Sequence, residues 1–358
     1  MVDGALDLFI VKMFVCKVVP IILAALLTVV KTNEEDIPNV TIGEPNDPSS
    51  DVVGQPISEA ELEAALADES LTTNQLEDSS PITQQGSFFQ GDIQIQTKDQ
   101  LIEIMQKHET DGQSSAISNP RMKWAKAQVP YFLSSSFSRG ERAVIARAMA
   151  EYRQQTCIRF IPRTTHRDYI HILKGEGCSS MVGSVGGAQT VSLGRGCVHY
   201  GIVLHELMHA LGFWHEQSRF DRDDHVNINW SNVITNMEYN FKKKTRSVSQ
   251  DLGLAYDYAS VMHYDQYAFA RNQKVLTITP KKRGAQIYGT DRGFSELDKK
   301  SLNLLYECSG TTQPKPTKSG CVDKGQRCAA RAKLGQCRSN TQLTIWMHNN
   351  CKKSCNKC

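Results

Sequence analysis

The sequence predicts an α+β protein in three parts: a central globular domain between about residues 115 and 308, a mostly irregular front piece, and a small disulfide-rich tail. Three observations predict it. Helical and strand periodicities interleave only in the middle, charge is divided between the ends, and the cysteines fall into separate groups. Between Thr32 and Ser114, 18 Asp or Glu face only Lys98 and Lys107, whereas from Ser309 onward ten Lys or Arg accompany the single acid Asp323. The net charge of +3 over 358 residues therefore hides an acidic front and a basic tail, the mark of modules with separate roles. A chain of this length can bury two or three folded units.

Taken in order, the first element is an apolar run from Val18 to Val30 behind Lys12 and Lys17. It suits the core of a signal peptide and is short for a membrane span of about 20 residues. Residues 1–31 are therefore read as an export signal, the rival being an anchor that starts upstream at Phe9. No stable membrane insertion is expected once the signal is gone, and the location is extracellular. Export makes paired thiols the expectation. Cys16 leaves with the signal, and the ten cysteines that remain are an even number.

Residues 32–114 are rich in Asn, Asp, Glu, Ser and Pro up to about Gln85, a composition that stays largely flexible. One helix is predicted there, since Ser58 and Glu61 form a capping-box pattern ahead of an Ala/Leu/Glu run to Ala67. In the central part Asn119 to Arg121 is a turn signal and Gln128 to Leu133 reads as a strand. Val144, Ile145, Ala148, Met149 and Tyr152 recur at helical spacing between Arg139 and Cys157. Phe160, Ile161 and the run Tyr169 to Leu173 are strand-like, and Gly183 to Gly187 is a loop. Residues 309–320, with two prolines, read as an extended linker. Residues 321–358 hold Cys321, Cys328, Cys337, Cys351, Cys355 and Cys358, in a piece too short to fold without staples.

The chemistry is concentrated between Val203 and His215. His205 and His209 lie one helical turn apart, so both imidazoles reach one metal at roughly 2.0–2.1 Å. Gly212 lets the backbone leave the helix and bring His215 round as a third nitrogen. Glu206 points differently from His205, which suits a general base beside a metal-bound water and not a fourth ligand. The His-Glu-x-x-His pattern alone would arise in roughly 1 of 70 shuffled chains; the glycine and third histidine at fixed offsets reduce this to about a few in 100,000. Three histidines satisfied on a helix surface, or a closed structural zinc site, are the competing readings; the latter usually wants four ligands including sulfur.

His205 to His215 resembles the long zinc signature of the metzincins. The continuation Glu216 to Asp223, and Ser260-Val261-Met262-His263-Tyr264 behind Tyr256-Asp257-Tyr258, resemble the astacin family in particular. Cys178 to Gly187 and Val191 to Gly194 are also similar, so the resemblance spans about Ser115 to Cys308. It implies a two-lobed catalytic domain with one Zn²⁺, a long zinc-binding helix, and a secreted zinc metalloendopeptidase acting on protein or peptide substrates. Met262 would be the apolar floor of a Met-turn, and Tyr264 a fifth, swinging ligand that also stabilises the oxyanion. Cys157 would pair with Cys308 and Cys178 with Cys197. Glu216 would anchor a mature amino terminus near Ser115. Phe88-Phe89-Gln90-Gly91-Asp92-Ile93 resembles the family's propeptide motif, in which Asp92 would bind zinc in place of water, making residues 32–114 a propeptide that an activating protease removes.

The tail spacing resembles the ShK-type (ShKT) domain, implying pairs Cys321–Cys358, Cys328–Cys351 and Cys337–Cys355, although spacing alone allows fifteen connectivities. Ile345-Trp346 stands where channel-blocking relatives carry Lys-Tyr, which weakens a toxin role. A venom component with the tail as effector, stored in an organelle such as a nematocyst, is the alternative expectation. No nucleic-acid partner is expected, and the tail's partner is undefined. Asn39 and Asn229 lie in glycosylation sequons.

Overall fold

The computed structural model describes residues 40, 42, 51–72, 88–106, 116–244, 249–308 and 328. The export signal, the linker, the tail other than Cys328, and Asn39 lie outside them. In the front piece, helix α1 (Glu59–Ala67) starts where the capping box places it: Ser58 Oγ accepts from Glu61 N, and the Glu61 carboxylate accepts from Ser58 N. A second front-piece helix, α2 (Lys98–Gln106), has no counterpart in the sequence reading. Thr97 Oγ accepts from Gln100 N at its start, so a capping threonine was the signal available.

The first half of the central domain is built around one sheet. It contains β1 (Ala116–Ile117), β2 (Gln128–Leu133), α3 (Arg139–Gln155), β3 (Arg159–Pro162), β4 (Tyr169–Leu173), β5 (Cys178–Ser180), β6 (Ala188–Leu193) and α4 (Tyr200–Ala210). The sheet order is β3-β2-β4-β6-β5, parallel throughout except for β5, which runs antiparallel to β6 at the edge. Ile170, Ile172, Val191 and Leu193, on one face of the sheet by the pairing of Ile172 with Val191, are fully buried, while the other face of the same strands buries polar His171, Thr190 and Ser192. Helix α3 packs on α4, and Tyr152, buried between them, donates its hydroxyl to Leu204 O at 2.7 Å.

The second half is mostly turns, with α5 (Arg222–His225), β7 (Val226–Ile228), β8 (Ser249–Gln250), β9 (Ile278–Pro280) and α6 (Glu296–Leu305). β7 pairs with β9 and β8 with β1, each antiparallel. Its loops are held by buried polar groups. The Arg222 guanidinium donates to Gln217 O and Phe241 O, while Asp298 accepts from Ser260 Oγ and Val261 N. Phe241, Tyr256, Tyr264, Phe269 and Ile278 form its apolar core. The disulfide Cys157–Cys308 ties the end of α3 to the end of α6, and Cys178–Cys197 closes the β5–β6 region, the two pairings the resemblance implied.

Candidate metal centre

Every residue of helix α4 is buried, which is why an apolar helix carries two imidazoles inward without exposing a hydrophobic face. The helix ends at Ala210, and just beyond its cap Leu211 the chain turns at Gly212, whose φ of 103° is left-handed. A Cβ there would lie 2.6 Å from the Ile117 side chain, so glycine is needed for both the turn and the packing. The turned chain delivers His215 to the same point as His205 and His209.

The imidazoles are oriented by their outer nitrogens. His205 Nδ1 donates to Val261 O at 2.8 Å and His209 Nδ1 to Phe213 O at 2.7 Å. Their Nε2 atoms therefore carry lone pairs, not hydrogens. Asp92 Oδ2 nevertheless lies 3.1 Å from the Nε2 of both His205 and His215, and Oδ1 lies 3.6 Å from His209 Nε2. His215 Nε2 is 3.3 Å from His205 Nε2. Lone pairs facing lone pairs in a buried site repel unless a cation lies among them. Donors at about 2.0–2.1 Å from a tetrahedral centre stand about 3.3–3.4 Å from one another, close to the spacings found here. Asp92 Oδ1 and His209 Nε2 have no hydrogen-bond partner, and the four donor atoms lie within 4.8 Å of each other. The residues fit a zinc ion.

Electrostatics agree. Burial holds His209 below its ordinary value and His215 at about 3, so both are neutral as ligands must be. Burial alone would raise Asp92; the imidazole cluster, His215 foremost, holds its carboxyl well below the usual range only while the rings carry protons, and with the rings neutral a bound cation would have to supply that positive charge. Burial, reinforced by the Asp92 charge, pushes Glu206 well up, and its Oε2 has no partner.

Residues 116–307 match Astacin, a peptidase family. The chain belongs to the astacin family. Residues 320–358 of this astacin match the ShK domain-like family. Zinc metalloproteinase nas-13 of Caenorhabditis elegans is 39% identical over 300 residues, covering 69% of this chain and 66% of that protein. Zinc metalloproteinase nas-15 of the same organism is 48% identical over 206 residues, covering 57% and 36%. The chain thus spans between about a third and about two thirds of the length of these relatives. Among solved structures it is similar to High choriolytic enzyme 1, a hatching enzyme zinc-protease from Oryzias latipes, at 43% identity over 52% of this chain and 93% of that one, with a TM-score of 0.49. Zinc is the metal of the astacin family, and the donor set here suits it.

The other residues singled out in the sequence lie as follows. Met262 is buried in the turn whose Val261 carbonyl orients His205, and its own carbonyl accepts from Glu216 N. The Tyr264 ring packs on His215 with centroids 4.6 Å apart, while its hydroxyl donates to Gln90 O at 2.6 Å. Glu216 is pushed up to about 8 by burial, against the pull of Arg219, and accepts from Asp257 N at 2.8 Å. Ser115, its expected partner, lies outside the described residues. Asn229 spends its amide donor on Leu276 O. Cys328 is disulfide-bonded, and the remaining tail cysteines lie outside the described residues.

The front piece enters the centre as a knuckle. Gln90 and Gly91 are both left-handed, at φ 52° and 86°, and Phe89 and Ile93 exchange backbone hydrogen bonds across the turn. Beyond it, Ser180 N donates to Asp92 O and Gln94 N to Ser180 O, adding the segment as a parallel strand to edge strand β5. Sequence reasoning missed Gln90, which contacts His215 Nδ1 at 3.1 Å, donates to Lys242 O and accepts from Tyr264. It also missed Lys244. The Lys244 amine is buried without a hydrogen-bond partner, 3.9 Å from the Phe89 ring centroid and 4.6 Å from that of Trp214. Burial, with Lys242 nearby, holds it well below its ordinary value. No periodicity marks either residue, because their partners come from remote parts of the chain.

Proposed function

We propose that this astacin is a secreted zinc metalloendopeptidase made as a latent precursor, with His205, His209 and His215 as metal ligands and Asp92 as the latency ligand. The observation that carries the reading is the carboxylate of the front piece standing at hydrogen-bond range from imidazole nitrogens that have only lone pairs to offer it.

Zinc, when bound, polarises the scissile carbonyl and lowers the pKa of water toward about 7. The chain's residues supply the rest. Glu206, next to Asp92 in the latent form, is the base that accepts the water's proton once Asp92 has left, and it returns that proton to the departing amine. Tyr264, whose hydroxyl is occupied by Gln90 O in the latent form, is freed to donate to the oxyanion. β5, relieved of residues 92–94, offers its backbone groups to an extended substrate. A cavity lined by Glu216, Asp257 and Asp298 together with apolar Met208, Phe213 and Trp214 is the receptor for the new amino terminus near Ser115. The substrates are extracellular proteins or peptides. The tail remains a candidate effector only in the venom alternative, to which the nematode relatives lend no support. No helix among the described residues is long and apolar enough to cross a membrane.

The test is cleavage-site profiling of the processed protein on a peptide library, with and without a zinc chelator, beside Glu206→Gln. Zinc-dependent internal cleavage that Glu206→Gln abolishes while keeping its zinc is the expected result. Retained turnover in the zinc-loaded variant would remove Glu206 from the mechanism.

A further inference from the structure

Among the described residues the front piece touches the catalytic domain in two stretches. One is the knuckle at Asp92. The other is made by residues 51–69, which contain six acids and no Lys or Arg. Residues 51–68 lie on β2, β4 and α3, none of which contributes a residue to the metal centre, and the turn Glu69–Thr72 that follows reaches α4.

The contact is built like a receptor. Val52 O accepts from Ser135 N at 2.8 Å and Gly54 N donates to Leu133 O at 2.7 Å, extending β2 by a short antiparallel pairing. A Cβ on Gly54 would lie 2.9 Å from Ser135 Cα, so the approach requires glycine. The Asp51 carboxylate accepts from Ser134 Oγ at 2.7 Å and stands 2.9 Å from the buried Nε2 of His171. Ile57, itself buried, donates its N–H to the hydroxyl of buried Tyr131 at 2.9 Å. The Arg142 guanidinium then makes four hydrogen bonds, two to Glu61 Oε1 and one each to Gln55 O and Pro56 O. Arg153 pairs with Glu59, and α1 packs along α3 with Ala65 buried. Arginine, histidine, tyrosine and serine on the catalytic side thus meet carboxylates and backbone groups on the other.

We propose that Tyr131, Ser134, Arg142, Arg153 and His171 form a second peptide-binding site, separate from the metal centre. It takes an acidic segment that is extended and then helical, and its own occupant is residues 51–69. The proposal deepens the latency reading. A front piece held at two points by one chain has an effective local concentration at each point of about millimolar or more. Cutting behind Asp92 therefore does not by itself release it; both anchors must let go.

The experiment uses the processed Glu206→Gln protein, on which peptides survive, and fluorescein-labelled peptides 51–106 and 88–106 read by fluorescence anisotropy. The long peptide should bind at least about tenfold more tightly than the short one. Glu61→Arg in the long peptide should remove that advantage, and Arg142→Glu in the protein should restore it for the Glu61→Arg peptide. Asp51→Ala in the peptide, which leaves the protein untouched, should weaken the long peptide alone. Equal affinities of long and short peptides, or indifference to Glu61→Arg and Asp51→Ala, overturn the second site. Mass spectrometry of the recovered peptides reads the Glu206 assignment separately, because digestion would contradict that reading and not this one.

Discussion

Replacing Asp92 by Ala in the uncleaved chain tests latency most directly. The carboxylate is buried among three imidazoles, its Oδ2 3.1 Å from two of them. Removing one partner of a buried charged set costs about 3–5 kcal/mol, which shifts the balance between closed and open cleft by about 10²- to 4 × 10³-fold. The rest of the knuckle stays. Two backbone hydrogen bonds to Ser180 and the Tyr264–Gln90 bond contribute about 1 kcal/mol each. Phe88, Phe89, Ile93 and Ile95, all buried, contribute about 1.5–3 kcal/mol apiece. The variant should therefore leak and not open fully. On a quenched fluorescent peptide, uncleaved Asp92→Ala should turn over about 100-fold faster than the uncleaved wild type and more slowly than the processed enzyme. Gel analysis confirms that the chain is intact and mass spectrometry that zinc is present. An intact, zinc-loaded Asp92→Ala protein as silent as the wild type would refute the reasoning.

Other consequences can be measured in the same preparations. Processed Tyr264→Phe should keep its zinc and lower kcat by about 10²- to 10³-fold with little change in KM, as loss of one oxyanion donor does. Cys157–Cys308 joins residues 151 apart and Cys178–Cys197 residues 19 apart. Chain entropy makes these worth about 5 and about 3 kcal/mol, so removing the long bridge as paired serines should lower the urea midpoint more than removing the short one. Burial pushes Asp298 up to about 6, above its ordinary 3.8, despite its hydrogen bonds from Ser260 and Val261. The folded protein then keeps a proton that the unfolded chain gives up, so this contribution is present below about 3.8 and lost as pH rises through about 6. Wild type should lose up to about 3 kcal/mol relative to Asp298→Asn between pH 4 and pH 7 in urea unfolding, and a pH-independent difference would contradict it.

The elements legible in the residue order are those that local chemistry decides. Ser58 and Glu61 announced α1 because a capping box needs only three residues, and the strands at Gln128 and Tyr169 showed as short runs rich in apolar and aromatic residues. Helix α2 escaped because its one start signal, a capping threonine, is weak on its own. The second half escaped almost entirely. Its turns are held by buried arginines and carboxylates with distant partners, as Arg222 to Phe241 and Asp298 to Val261 show at separations of 19 and 37 residues.

At the site the same division holds. By itself the sequence determined the candidate ligand set, since a 3.6-residue period and one glycine are enough to aim His205, His209 and His215 at a common point. Resemblance to the family added Asp92. Only the tertiary structure decided which groups surround that point: the carbonyl of Val261 that turns His205, Gln90 bridging His215 and Tyr264, and Lys244 against Phe89. It alone also placed residues 51–69 on Arg142 and His171. A spacing rule reaches about one helical turn, whereas these contacts are closed by chain folding over separations of 56 to 174 residues and leave no periodic trace.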